Sequence, residues 1–126
     1  MATRVVVITP STPEDYNNHV AVWAGLLNGD DGAPIKMPGS ADRSVQYTGT
    51  FGAGGSIQLE GSNDVVAVGS VPANWFLLSN PQGTTGAKTA AGIVQIEEAT
   101  AWVRPRVTAG DGTTALQANL FLKKVA

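Results

Sequence analysis

Apolar and polar residues alternate with period two along most of this chain, and the alternating runs are cut by glycine, asparagine and proline. That is how half-buried antiparallel strands read. The pattern is plainest between Arg43 and Leu78, where residues 44–51 and 56–64 are two such runs joined by Gly52-Ala53-Gly54-Gly55, and residues 74–78 are a third. A β-meander is predicted there. Upstream, Val5-Val6-Val7-Ile8 is an apolar run of strand length that ends at Pro10-Ser11-Thr12-Pro13, where fixed φ angles and missing N–H groups stop a ladder.

Residues 20–27 carry two periods at once. Val20, Trp23, Ala24 and Leu27 would share a helix face, whereas Val20, Val22, Ala24 and Leu26 would share a strand face. Gly25, the β-branched valines and the short length favour a strand. Residues 28–34 form a turn cluster, residues 35–39 are at most a short edge piece, and residues 79–86 are a loop. Residues 65–73 fit either a short strand or a long loop.

Downstream, residues 91–98, 101–107 and 115–123 read as three further strands. The second puts Val103 and Val107 on one face and Trp102, Arg104 and Arg106 on the other, and Pro105 marks it as an edge or a bulge. The third turns Leu116, Leu120 and Leu122 inward and Phe121 outward. About eight strands with turns between them predict an all-β fold, an antiparallel β-sandwich or jelly roll. Its 126 residues suit one domain, with residues 1–13 as an N-terminal strand or arm.

Composition narrows the function. There is no cysteine, so no disulfide, thiolate metal site or cysteine nucleophile can form. Charged residues are 14% of the chain and the net charge is −2, which argues against direct DNA or RNA binding. So little charge also suggests that neighbouring subunits cover part of the surface. No apolar run approaches the roughly 20 residues that span a bilayer, and no contact with a membrane is expected.

No catalytic constellation emerges. The single histidine, His19, has no nucleophile motif near it, and Glu97 and Glu98, adjacent on a strand, point to opposite faces. Asn28-Gly29-Asp30-Asp31-Gly32 has oxygen ligands but lacks the alternate spacing and closing glutamate of a calcium loop. Gly52-Ala53-Gly54-Gly55 joins two strands, which points to a hairpin rather than a phosphate cradle. The patch with binding character is Trp102, Arg104 and Arg106, residue types that favour cation–π contact and protein interfaces; the alternative is that Trp102 packs while the arginines pair with Glu97, Glu98 or Glu60. Trp23 and Trp75 are expected in the core, and Phe121 is a second outward aromatic.

The run from Gly49-Thr50-Phe51 through Ser56-Ile57-Gln58-Leu59-Glu60 to Gly61-Ser62-Asn63-Asp64, with Trp75 and Leu77-Leu78 after it, resembles small virion structural proteins of tailed bacteriophages. Val103-Arg104-Pro105-Arg106-Val107-Thr108 and Gly110-Asp111-Gly112-Thr113 extend the likeness, which covers Trp23 to the C-terminal residue. The Gly-Ser-Asn-Asp turn followed by tryptophan also resembles discoidin-like sandwiches, except that residues 65–73 intervene here. The resemblance implies a non-enzymatic head decoration or cement protein, located on the capsid surface of the virion and made in the host bacterial cytoplasm. Its implied partners are the major capsid protein and copies of itself, as a homotrimer. Trp102, Arg104, Arg106 and Phe121 are then the expected interface residues, and residues 1–12 an arm or swapped strand. The alternative is a carbohydrate-binding discoidin-like module of a phage tail appendage, using Trp75. No cofactor, metal or catalytic residue is expected in either case.

Overall fold

The structure is a computed structural model that describes residues 2–10, 18–36, 40–83 and 85–124. Among these residues the chain forms eleven strands and no helix. In chain order they are β1 (Thr3–Arg4), β2 (Val6–Pro10), β3 (Asn18–Leu27), β4 (Asp31–Gly32), β5 (Ile35–Lys36) and β6 (Ser40–Thr50). There follow β7 (Ser56–Ser62), β8 (Phe76–Leu77), β9 (Gly92–Ile96), β10 (Trp102–Ala109) and β11 (Ala115–Lys124). One sheet has the order β1-β4-β10-β7-β8 with β5 also on β10, and the other has the order β2-β3-β11-β6-β9. Every pairing is antiparallel except β1 with β4. The result is the predicted β-sandwich, with more strands than the expected eight. The additions are β1 and β4, each two residues long and too short for alternation to register in a sequence, and β5, also two residues, which lies in the segment read as at most a short edge piece.

The core lies between the sheets, where the inward positions recur every second residue. Val45 and Tyr47 of β6 and Leu116, Ala118, Leu120 and Leu122 of β11 meet Ile57 and Leu59 of β7 and Val103 and Val107 of β10. Val20, Val22, Ala24 and Leu26 do not share one face of β3: Ala21 and the expected core residue Trp23 are fully buried, and Val20 and Val22 look outward. A bulge then resets the strand. Ala24 and Gly25 together oppose Gln117, Gly25 takes a φ of 67°, and Leu26 returns to the core.

The meander between Arg43 and Leu78 does not form as predicted. β6 and β7 lie in different sheets, so residues 52–55 make a corner between sheets, not a hairpin; only β7 and β8 pair. Gly52 and Gly54 have φ of 72° and 68°, which a side chain would disfavour. The corner is laced to the turn between β10 and β11, another crossing between sheets. Ala53 N–H donates to Asp111 Oδ2 at 2.9 Å, and the Thr114 hydroxyl donates to the Phe51 carbonyl at 2.7 Å. Hydrogen bonds from the Thr113 hydroxyl, Ala53 N–H and Thr113 N–H hold the Asp111 carboxyl down at a pKa of about 2.

Pro105 sits in an interior strand, not at an edge, and the irregularity in β10 falls between Val107 and Ala109 instead. Val107 N–H donates to the Asp30 carbonyl at 2.9 Å. The Pro105 nitrogen, two residues earlier, faces the same side, and there the neighbouring ladder is broken between β4 and β5 at Ala33 and Pro34. No donor is needed at that place. Residues 65–73 form a loop. Residues 3–10 are strands of this chain's own two sheets, with β1 on β4 and β2 on β3, while residues 11–13 and Met1 lie outside the described residues.

The crossing from β1 to β2 is fastened by Asp30, which is 3% exposed. It accepts hydrogen bonds from Ala2 N–H at 2.9 Å, Leu27 N–H at 2.9 Å and Arg4 Nε at 2.6 Å. Burial opposes ionisation, but the hydrogen bonds from Leu27, Arg4 and Ala2 outweigh it and hold the carboxyl below its ordinary value. Asp30→Ala is therefore expected to cost about 2–4 kcal/mol in urea denaturation at neutral pH. Because the folded pKa lies below the unfolded value of 3.8, this contribution is complete above 3.8 and fades as pH falls through the folded pKa. The gap between native chain and variant should narrow in acid; equal stabilities at neutral pH would show that Asp30 does not fasten this crossing. Tyr47 offers the opposite test, since its buried hydroxyl has no hydrogen-bond partner among the described residues and burial pushes its pKa up. Tyr47→Phe is expected to leave stability unchanged or raise it by about 1 kcal/mol.

Candidate interaction surface

Alternation along β10 sends Val103, Pro105 and Val107 into the core and Trp102, Arg104 and Arg106 to the outer face of the sheet. Their register neighbours on β7 are Ser62, Glu60 and Gln58, and Lys36 of β5 and Asp31 of β4 flank them on the other side. Arg104 Nε donates to Glu60 Oε1 at 3.0 Å, and its Nη1 donates to Asp31 Oδ2 at 3.2 Å. Gln58 Nε2 donates to Glu60 Oε2 at 2.8 Å, and Arg106 Nη1 stands 3.9 Å from the same oxygen. The Glu60 side chain is only 5% exposed, so the carboxylate is the buried anchor and the two guanidiniums lie over it.

Aromatic rings complete the face. The Arg104 guanidinium lies 4.5 Å from the centre of the Trp75 ring, and Lys36 Nζ lies 5.3 Å from that of Trp102. Both distances are within cation–π range. Trp75 was expected in the core. It is half-buried on the surface, with Nε1 donating to the Pro72 carbonyl at 3.0 Å, because residues 74–75 precede β8 and do not extend it. Trp23 does occupy the core, donating from Nε1 to the Ala33 carbonyl at 3.0 Å.

Of the four residues singled out in the sequence, three come together and one does not. Phe121 lies on the outer face of the other sheet, half-buried in a recess of about 230 Å³ with Val20, Ser44, Gln46, Ile93 and Asn119. Of the predicted carboxylate partners, Glu60 takes both arginines. Glu98 instead accepts from Ser79 N–H at 2.7 Å and from the Ser79 hydroxyl at 2.9 Å. In the turn cluster at residues 28–32, Asp30 is committed to the N-terminal crossing, and Asp31 to Arg104 and the Thr3 hydroxyl. His19 is half-buried in β3, in register with Leu122 and Pro10.

A second surface is built on the connection over residues 65–73, which the sequence leaves as either a short strand or a long loop. Residues 64–74 form a closed apolar finger. Asp64 Oδ2 accepts from Ala73 N–H at 3.2 Å and Asn74 N–H at 3.0 Å, and Ser70 N–H donates to the Ala67 carbonyl in a turn where Gly69 has a φ of 84°. The Asn74 N–H is the largest influence holding the Asp64 carboxyl below its ordinary pKa. Val65 and Val68 extend fully into solvent. At the foot of the finger is a recess of about 390 Å³ lined by Gly61, Ser62, Phe76, Leu77, Leu78 and Thr100, among others. The available sequence signal was an uncharged apolar stretch bracketed by Asp64 and Asn74, with no alternation to assign it to a sheet.

Compared with known proteins, the chain matches no family model, no curated protein and no solved structure.

The two arginines differ in a way that can be measured. Arg104, whose side chain is 17% exposed, neutralises buried Glu60, whereas Arg106 is 44% exposed at a longer distance. Arg104→Ala is expected to cost about 3 kcal/mol, because it strands a buried carboxylate, and Arg106→Ala less than about 1 kcal/mol. Chemical denaturation of both variants checks this, and equal costs would show that Glu60 does not anchor the face.

Proposed function

We propose that this chain is a non-enzymatic structural protein of a tailed phage particle, a capsid decoration protein that binds the outer head shell and stabilises it. The observation that carries this reading is the outer face of β10. There Arg104 and Arg106 are held over a buried carboxylate, Trp75 lies against Arg104 and Trp102 against Lys36, and the ionised groups are engaged with one another. Tryptophan and arginine preset in this way suit a protein interface, because little side-chain freedom remains to be lost on binding. The likeness of residues 23–126 to small virion structural proteins and the low charge content support the same conclusion.

In mechanism, each subunit bridges neighbouring capsomers. The β10 face offers the more exposed Arg106 guanidinium and the Trp102 ring to the shell, and the Phe121 recess on the opposite sheet offers a second, apolar contact. Modest contacts made at the same time multiply into a large stabilisation. The major capsid protein and copies of this chain, as a homotrimer, are the partners. The carbohydrate reading is weaker, because Arg104 already stacks against the Trp75 ring that a sugar would need.

Cryo-electron microscopy of the native particle tests the assignment: copies arranged over the head shell are expected, and copies confined to the tail or portal vertex would overturn it. Particles depleted of the protein and then resupplied should release their DNA at a higher temperature than depleted ones. Resupply with Trp102→Ala/Arg106→Ala chain should restore less of that shift, and an unchanged release temperature on resupply with native chain would remove stabilisation as its role.

A further inference from the structure

The turn between β3 and β4 ends at Asp30, which fastens the N-terminal crossing, and it opens on the chain's one Asn-Gly pair, Asn28-Gly29. Asparagine is a chemically labile residue. Its side-chain amide is lost without an enzyme when the backbone nitrogen of the next residue gives up its proton and attacks the amide carbon. That nitrogen must be free of a hydrogen bond to the protein and must not be crowded by a side chain. Gly29 meets both conditions. Its N–H donates to no acceptor among the described residues, nothing beyond its own chain neighbours lies within 4 Å of where a Cβ would stand, and Asn28 itself is exposed. The other described asparagines are less favourably placed. Asn80 precedes Pro81, which has no N–H; Asn18 and Asn119 lie in strands flanked on both sides; Asn63 precedes Asp64, whose N–H donates to the Ser62 hydroxyl at 3.1 Å; and Asn74 precedes a bulky tryptophan.

We infer that Asn28 is a site of spontaneous deamidation in the folded protein, and that the product loosens the N-terminal crossing. A bond forms between Gly29 N and Asn28 Cγ, the Gly29 proton passes through water to the departing nitrogen, and ammonia leaves. Water then opens the cyclic imide at one of its two carbonyls, which gives aspartate, or isoaspartate with the backbone running through the side-chain carbon. In sum, an amide and water become a carboxylate, a proton and ammonia, and nothing is oxidised or reduced.

Both products act on the same fastening. Asn28 Nδ2 donates to the Gly110 carbonyl at 3.2 Å and so ties this turn to the one between β10 and β11. A carboxylate there has no N–H to give and stands against a carbonyl, in the turn next to ionised Asp111. Isoaspartate also adds a methylene to the backbone between Leu27 and Asp30, where Leu27 N–H donates to Asp30 Oδ2 at 2.9 Å and Asp30 N–H donates to the Leu27 carbonyl at 3.0 Å. Displacing Asp30 and Asp31 releases what they hold: Ala2 N–H and Arg4 Nε on the Asp30 carboxylate, the Ala2 carbonyl on Asp31 N–H at 3.1 Å, and the Thr3 hydroxyl on Asp31 Oδ1 at 2.7 Å. A change in an exposed turn thus reaches β1 and β2. The inference concerns the purified chain and does not rest on the particle assignment.

Incubation of the full-length chain in neutral buffer at physiological temperature tests it. Peptide mapping by mass spectrometry reads the one-dalton gain at each asparagine, and an isoaspartate methyltransferase labels the isomer. Asn28 is expected to convert several-fold faster than Asn63, Asn74 or Asn119. The product carries one more negative charge, so anion exchange separates it from unconverted chain. Hydrogen exchange over residues 3–10 should then be roughly tenfold faster in the product, as expected when hydrogen bonds that close a segment are lost, while β7 keeps its native protection. Asn28→Gln, whose longer side chain closes the ring far more slowly, should keep the pattern of fresh chain through the same incubation. An Asn28 that stays intact in the folded chain while it converts in chain unfolded by guanidinium would overturn the proposal, because the turn would then hold the amide out of reach. Unchanged exchange over residues 3–10 in the separated product, or equal acceleration in incubated Asn28→Gln chain, would overturn it as well.

Discussion

The indole of Trp23 is the contact on which the two sheets depend. It projects from β3 of one sheet onto Gly32 of the other, where a Cβ would lie 2.6 Å from Trp23 Nε1 and 2.6 Å from Pro105 Cδ. Its Nε1 donates to the Ala33 carbonyl, so the polar edge of a fully buried ring is satisfied. Removing a buried side chain of this size generally costs about 3–5 kcal/mol, a large part of the stability of a domain this small. The same contact accounts for several local oddities. Gly32 is small because the ring lies over it, and β4 gives way to β5 at Ala33 and Pro34, which leaves room for a proline in the middle of β10.

Around that seam the structure handles buried polarity unevenly. Asp30 and Glu60 are almost wholly enclosed, yet each faces several donors, and both serve to hold an element in place: the N-terminal crossing in one case, the arginine face in the other. Arg43 is only 2% exposed, and burial pushes its pKa down. Its guanidinium reaches the Thr100 carbonyl at 2.8 Å and the Thr100 hydroxyl at 3.2 Å, while its Nε has no partner among the described residues. A carboxylate in a full set of hydrogen bonds fixes geometry, whereas a guanidinium with one N–H unmet carries an uncompensated desolvation cost. The Arg104 face is rigid for the first reason.

The outer surfaces are correspondingly distinct. One sheet presents charge and aromatic rings in fixed register, the other presents a shallow apolar recess around Phe121, and one side of the first sheet carries the finger above Phe76. These surfaces share a single rigid scaffold, so contacts made by one of them constrain where the others can reach.

Much of the scaffold was legible in the chain, because burial on one side of a strand imposes a period of two that a sequence records directly. All-β class, the seven longer strands, the inward leucines of β11 and the outward grouping of Trp102, Arg104 and Arg106 follow from that period alone. The sheet to which each strand belongs does not, since alternation looks the same whichever neighbour a strand pairs with. Hence residues 52–55 read as a hairpin when they are a corner, Pro105 read as an edge or a bulge when a gap in the neighbouring ladder accommodates it, and Val20, Val22, Ala24 and Leu26 read as one strand face when a bulge at Gly25 divides them. The partners of the arginines, the cation above Trp75 and the projection of Val65 and Val68 also arise from residues distant in the chain. Local patterning thus determined which segments are strands and which way most of their side chains face; tertiary packing alone decided which strands meet, and therefore which surfaces this protein presents.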